Sequence, residues 1–241
     1  MGWRLIDTDV ADPYYVTAAD DALAQTRKEH KSPNTLHFYR RHPPAVSVGR
    51  SRKIHEDINV EACRKNKVHI VRRTTGGGTI YTDKGCLIYS VVFDKNDIGL
   101  RSSQEIFENI CQSIVHTLEK FDIHTIYKPP NDILLHGKKI SGSAQIAKDN
   151  VVLIHGTILL HTNLEVLNTV LKVPSNNKVT TIQSECSDVP SINELKETLK
   201  NEFEKEFGDT LEKKPFTRYE TQVIEKLLTE KYRNDTWNFM R

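Results

Sequence analysis

Apolar positions recur along this chain at two spacings, and each change of spacing marks a change of element. Thr17 followed by Asp20 has the form of a capping box, opening a helix through Ala18, Ala22, Leu23 and Ala24. Leu36 to Arg40 and Ala45 to Val48 are short β-type runs, separated by Pro43 and Pro44, which break regular structure. Glu56 to Lys67 predicts a helix, and the β-branched Val68 to Arg72 a strand. Cys86 to Phe93 is nearly continuous in apolar residues, as expected of a buried strand. Ser102 with Glu105 caps the clearest helix, whose stripe is Ile106, Phe107, Ile110, Ile114, Leu118 and Phe121.

The middle of the chain returns to β patterning. Asp132 to Leu135 predicts a strand, His136-Gly137 a tight turn, and Lys139 to Ala147 the returning strand. Lys148-Asp149-Asn150 turns the chain into Val151 to Leu160, so the region reads as an antiparallel meander. Helical stripes follow: Leu164, Leu167, Val170 and Leu171, then Ile192, Leu195, Leu199, Phe203 and Phe207 behind a Ser191/Glu194 cap. Val223, Ile224, Leu227 and Leu228 follow a Thr217/Glu220 cap, and the polar Ser175 to Pro190 predicts a long surface loop. The expected class is α+β: a mostly antiparallel mixed β-sheet flanked by helices. One domain over residues 1–241 is expected, helical from about residue 190.

Composition narrows the function classes. The formal net charge of +2 gives no field that calls for nucleic acid or a membrane surface as partner. No apolar run is long enough to cross a bilayer, and the opening Met-Gly-Trp-Arg-Leu-Ile-Asp has no signal-peptide pattern. Cys63, Cys86, Cys111 and Cys186 form no CxxC pair and match no zinc spacing. A cytoplasmic enzyme or binding protein is expected, and Cys111, beside an apolar stripe, is expected in the core.

Three segments carry candidate chemistry. In Arg72-Arg73-Thr74-Thr75-Gly76-Gly77-Gly78-Thr79 the glycines allow close backbone approach, exposed N–H groups can cradle an anion, and two arginines add charge. A flexible hairpin with solvated arginines fits the same residues. Asn131-Asp132 opens a strand, where an aspartate can hold magnesium beside phosphates, or simply form a turn after Pro129-Pro130. In Gly137-Lys138-Lys139-Ile140-Ser141-Gly142-Ser143-Ala144, Gly142 invites a close ligand, and one lysine can stabilise charge developing on an oxygen. Successive strand residues point to opposite faces, so only one of the two lysines can enter a pocket; a surface hairpin pair is the alternative.

Taken in order, these segments resemble the lipoate-protein ligases, a family within the wider biotin and lipoate ligase fold. Ala19 to Leu23 is similar to that family's first-helix motif, Val48-Gly49-Arg50 to its Gly-Arg loop, and Asp83-Lys84-Gly85 to the residues after its glycine loop. His155-Gly156-Thr157-Ile158-Leu159-Leu160 resembles its His-Gly-Thr strand, and Tyr232 and Trp237 the end of its catalytic domain. The resemblance implies that Lys139, the lysine right before Ile-Ser-Gly, contacts the carboxylate and α-phosphate as the catalytic residue. It implies substrate or nucleotide contacts at Arg50, Arg72, Thr75, Gly76, Gly77, Gly78, Thr79, Tyr81 and Asp83. The same holds for Asn131, Asp132, Ser141, Gly142, Ala144, His155, Gly156 and Thr157, with Asp132 also the candidate Mg2+ ligand. His155 equally fits a structural, hydrogen-bonded histidine.

The implied activity is ATP-dependent: lipoate is joined to AMP, pyrophosphate leaves, and lipoyl-AMP passes its acyl group to an acceptor lysine. The implied partners are lipoyl-domain proteins such as dehydrogenase E2 subunits or the glycine-cleavage H protein, with a separate small accessory subunit in some members. Two departures bear on this. Cys86 stands where relatives often have asparagine, and the chain extends only a few residues past Trp237, so no C-terminal accessory domain is expected. Related octanoyltransferases and amidotransferases hold the acyl group on a cysteine just upstream of Lys-x-Ser-Gly; Tyr127 to Leu135 contains none here. The alternatives are an ATP-independent octanoyl or lipoyl transferase and a non-catalytic lipoyl-binding subunit.

Overall fold

The computed structural model describes residues 2–99, 102–172 and 178–240. Eleven strands are described: β1 (Trp3–Ala11), β2 (Asn34–Arg41), β3 (Ala45–Val48), β4 (His69–Arg72), β5 (Ile80–Thr82), β6 (Cys86–Asp94), β7 (Thr125–Lys128), β8 (Asp132–Leu135), β9 (Lys138–Lys148), β10 (Val151–Leu159) and β11 (Glu212–Lys213). The α-helices are α1 (Pro13–Lys28), α2 (Ile54–Asp57), α3 (Val60–Lys65), α4 (Lys95–Ile98), α5 (Ser103–Glu119), α6 (Leu164–Val170), α7 (Ile182–Glu185), α8 (Ile192–Phe207), α9 (Arg218–Leu227) and α10 (Asp235–Asn238).

Eight strands form one sheet in the order β11-β1-β2-β6-β10-β9-β8-β7; β1 runs parallel to β11 and β2, and the other neighbours are antiparallel. A second sheet, β4-β3-β5, is smaller. This is the expected α+β class with its antiparallel meander.

One face of the large sheet carries the main core. Phe38, Leu87, Tyr89, Phe93, Ile154 and Ile158 pack there against the stripe of α5 and against Leu195, Leu199 and Phe203 of α8. Both helices carry the expected capping boxes, Ser102/Glu105 and Ser191/Glu194. Each satisfies two orphan donors at a helix start and contributes about 1 kcal/mol. Cys111 lies in this core as expected. The opposite face meets α1 through Leu23, while the small sheet keeps its own core of Val46, Val48, Ile54, Ile70, Tyr81 and Leu167.

Local patterning misplaced several boundaries. α1 starts at Asp12, whose side chain accepts from the Tyr15 N–H, with Pro13 at the first helical position. Thr17 instead donates to the Pro13 carbonyl and Asp20 is buried, so the apparent capping box is mid-helix. The helix expected over 56–67 is two short ones, parted at Ile58, which is extended and bridges Leu171. Of the expected loop 175–190, residues 175–177 lie outside the described residues; the rest contains α7 and a bridge between Val179 and Lys139.

Candidate active site

A cleft of about 600 Å³ opens on the sheet face opposite α5 and α8. Strand register defines its floor. Tyr39, Ile88, Thr157, Gly142 and Asp132 stand directly opposite one another on β2, β6, β10, β9 and β8, and all five line the cleft. Strands lie about 4.8 Å apart, so this row is about 19 Å long. The next row along the strands is His37, Ser90, His155 and Ala144. Ile80, Tyr81, Leu134, Leu159, Leu167 and Leu171 add apolar walls.

Lys139 stands at the Asp132 end. Strict alternation would put Lys138 and Ile140 on the face of Gly142, and Lys139 behind it. A bulge changes this: Ile133 pairs with Ser141 but Leu134 pairs with Lys139, so Ile140 has no opposite residue. Ile140 drops into the core and Lys139 turns into the cleft. Its Nζ pairs with Asp132 Oδ1 at 2.5 Å. It lies directly over Gly142, where a Cβ would stand 2.6 Å from Nζ and Cε. Residues 178–180 clamp the Lys139 backbone, Lys139 N–H donating to Lys178 O at 2.8 Å and Thr180 N–H to Lys139 O at 2.9 Å. Lys138 points elsewhere and pairs with Glu185 at 2.7 Å.

The two arginines of the glycine loop have different surroundings. Arg72 is fully buried and binds carbonyls: Gly49, Arg50 and Arg52 on one side, Asn238 and Met240 on the other. It joins α10 to the Gly-Arg loop and does not line the cleft. Arg73 does. Its guanidinium donates to Ser47 O at 2.8 Å and to both Gly76 O and Gly78 O at 2.7 Å. Burial, with the charge of Arg41 nearby, pulls its pKa down to about 10, so it remains charged at neutral pH.

Under the cleft lies a polar cluster. Asp20 of α1 accepts from the Tyr39 hydroxyl at 2.8 Å and from Nδ1 of His37 and of His155, each at 3.1 Å. Burial alone would raise its pKa, but the hydrogen bonds from His155 and His37 outweigh that and hold the carboxyl well below its ordinary range. Burial lowers the pKa of His155, against the pull of Asp20, so the ring is neutral at neutral pH.

A family model described as the lipoyl protein ligase A/B catalytic domain matches residues 12–204. The chain belongs to that family. Its curated relatives include octanoyltransferase LipM of Geobacillus kaustophilus, 30% identical over 99% of this chain and 98% of that one. The octanoyltransferase LipM of Bacillus subtilis is 27% identical over similar spans. A crystal structure of lipoate-protein ligase A bound with ATP superposes with a TM-score of 0.89 at 26% identity, covering 99% of each chain. A bipartite lipoate protein ligase from Thermoplasma acidophilum, studied with its E2 lipoyl domain, gives 0.87 at 25% identity, covering 100% of this chain and 98% of that one. A biotin protein ligase of Aquifex aeolicus shares the fold, with a TM-score of 0.50.

The family is thus as the motifs suggested, and the chain is an enzyme of the lipoyl ligase and transferase kind. The expected ATP-dependent ligase activity is corrected: curated relatives at 27–30% identity along nearly the whole chain are octanoyltransferases LipM. Asp132, the expected magnesium ligand, lines the cleft, and nothing in its surroundings adds support for a metal there. Its Oδ1 is taken by Lys139, and among the described residues no three His, Cys, Asp or Glu side chains converge to hold a metal.

Of the residues singled out from sequence, Lys139, Gly78, Thr79, Tyr81, Asn131, Asp132, Ser141, Gly142, Ala144, His155, Gly156 and Thr157 line the cleft. Arg50, Arg72, Thr75, Gly76, Gly77 and Asp83 do not. Arg50 is exposed, and Thr75 is buried against His155. Asp83 accepts from the N–H groups of Gly85 and Asn163, which makes it part of a turn. Cys86 is fully buried beside Ile88 and opposite Leu159, and burial raises its thiol pKa far above the ordinary value. Sequence reasoning missed Tyr39, Arg41, Ser47 and Ile88. Their alternation within β2, β3 and β6 marks a face, but not one that holds a cleft.

Proposed function

We propose that this chain moves a medium-chain acyl group, octanoyl or lipoyl, from a thioester donor to a lysine of a lipoyl-domain protein, without ATP. The observation that carries the reading is Lys139 held over Gly142 at one end of a row with apolar walls. An eight-carbon chain has seven C–C bonds of about 1.5 Å and reaches roughly 9 Å in zigzag form. With its carbonyl over Gly142, such a chain would cross Thr157 and end over Ile88.

The chemistry follows from those positions. The neutral amine of the acceptor lysine attacks the thioester carbonyl, forming a C–N bond. The carbonyl oxygen becomes an oxyanion facing the Lys139 ammonium, which stabilises the charge as it develops. The C–S bond then breaks, and the amine proton passes to the departing thiolate, giving an amide and a free thiol. Asp132 holds Lys139 in place by its ion pair. Among the described residues, no cysteine lines the cleft. Cys111, 3.9 Å from Ser143 Oγ, is wholly buried with its pKa pushed up to about 12. In this reading the acyl group therefore passes directly from donor to acceptor, with no acyl-enzyme on sulfur.

Support for the acyl class comes from the octanoyltransferase relatives, and for the acceptor class from the T. acidophilum system that includes an E2 lipoyl domain. The test is mass spectrometry of a lipoyl-domain acceptor after incubation with octanoyl-pantetheine alone, or with octanoate or lipoate plus ATP and Mg2+. Acylation from the thioester without ATP supports the reading. Acylation only from the free acid, with pyrophosphate released, overturns it.

A further inference from the structure

A line of side-chain hydrogen bonds joins the glycine loop to helix α1 across the floor of the cleft. Asp20 accepts from His155 Nδ1 at 3.1 Å, His155 Nε2 meets Thr75 Oγ1 at 2.8 Å, and Arg73 Nε donates to Thr75 Oγ1 at 3.0 Å. The remaining Arg73 nitrogens grip Ser47 O, Gly76 O and Gly78 O. Asp20, Arg73 and Thr75 are all buried, and His155 is 11% exposed at its side chain.

Proton inventory fixes the direction of each bond. An ionised carboxylate only accepts, so both Nδ1 atoms facing Asp20, on His37 and His155, carry hydrogen. A neutral histidine protonated at Nδ1 has a lone pair at Nε2, so the Thr75 hydroxyl must donate to it. The hydroxyl oxygen then accepts from Arg73, which cannot itself accept. His37, the other ring on Asp20, meets Thr8 Oγ1 through its Nε2 at 2.8 Å. Reversing any link would place two donors or two lone pairs face to face in a buried space.

We infer that Asp20 and Thr75 are positioning residues: Asp20 holds His155, His155 holds the Thr75 hydroxyl, that hydroxyl orients the Arg73 guanidinium, and Arg73 in turn sets the main-chain shape of residues 76–78 at the cleft. The ligand that needs this shape is the acyl donor, because Gly78 and Arg73 both line the cleft proposed above to take the acyl chain. The inference rests on the acyl-transfer reading for its kinetic arm only. Gly77 supports the geometry. Its φ of +83° suits glycine, and a Cβ there would come within 3.2 Å of Arg73 Nη2, so loop and guanidinium are fitted to each other.

Two readouts test the relay. The first is the 15N chemical shifts of His155 in the free protein, assigned with a His155→Gln control. The relay requires the Nδ1–H tautomer in the wild-type protein and its loss in Asp20→Asn, whose amide can no longer accept from all three donors. An Nε2–H tautomer in the wild type overturns the inference whatever the acyl donor proves to be. The second compares Thr75→Val with Thr75→Ser. The valine variant removes the hydroxyl at nearly constant volume, and KM for the thioester donor should rise about tenfold, with kcat changed far less. The serine variant restores the hydroxyl and should return KM to near the wild-type value. Equal KM in valine and serine variants overturns the inference. If Thr75→Val fails to fold, the tautomer assignment in the wild-type protein still decides it. If the thioester is not a substrate at all, the transfer reading fails and the tautomer result stands apart from it.

Discussion

Replacing Gly142 by alanine separates the position of the Lys139 ammonium from the stability of the fold. A Cβ at Gly142 would stand 2.6 Å from both Cε and Nζ of Lys139, where ordinary contact begins at 3.4 Å; the difference, 3.4 − 2.6 = 0.8 Å, is how far the ammonium must retreat. The atoms that must move are the end of a flexible side chain that is 35% exposed, so the move costs little. Alanine is also better tolerated than glycine inside a strand, by roughly 0.5–1 kcal/mol. The melting temperature should therefore stay within a few degrees of wild type. The rate should not. A displacement of about 1 Å at a reacting centre costs on the order of 100-fold, and outright loss of an oxyanion donor about 100- to 1,000-fold. The expected result is a fall in kcat of about 100-fold, read as the time course of acceptor acylation by mass spectrometry, beside a circular dichroism melt. If the folded variant acylates within about threefold of the wild-type rate, Lys139 over Gly142 is not what stabilises the transition state, and the proposed chemistry is wrong.

Gly156→Ala is expected to act in the opposite way. Its Cβ would lie 2.2 Å from the hydroxyl of buried Tyr89, which is already bonded to Ser143, so stability should fall by about 1–3 kcal/mol in urea titration; an unchanged midpoint would show that Tyr89 can move freely. Cys86→Ser should leave acylation per folded molecule near wild type, because this thiol is buried and outside the cleft; loss of activity at full folding would restore a thiol route. Stability should decline on acidification in two stages. His155 has a lowered pKa in the fold, so below about 6.5 the unfolded chain binds a proton first and stability falls. Asp20 has a lowered carboxyl pKa, so its contribution is present above about 3.9 and is lost as pH falls toward the folded value. Unfolding titrations of wild type and His155→Gln between pH 7 and 5 check the first stage; identical slopes would mean that His155 is not held neutral.

Much of the fold was legible in local pattern. The α5 stripe, the two serine capping boxes and the meander from Asp132 to Leu160 depend on contacts within a few residues or on one buried face, and periodicity reports both. The same holds for the glycine loop and the Lys-Ile-Ser-Gly stretch, where residue types alone announce close approach and charge. Thr17 and Asp20 show the limit. They have the spacing of a helix start, but Asp20 is held by histidines on β2 and β10, 17 and 135 residues away in sequence.

Sequence by itself thus determined the element types, the α+β class and the segments where chemistry gathers. Tertiary structure alone decided which side chains face the cleft. Arg72 and Arg73 are adjacent and alike, yet one fastens a buried junction with α10 and the other faces the cleft, because the elements around them are supplied by distant parts of the chain. Lys138 and Lys139 are likewise interchangeable by composition. Alternation would have turned Lys138 inward; one unpaired residue, Ile140, reverses the order, and only the pairing of β8 with β9 makes that bulge visible.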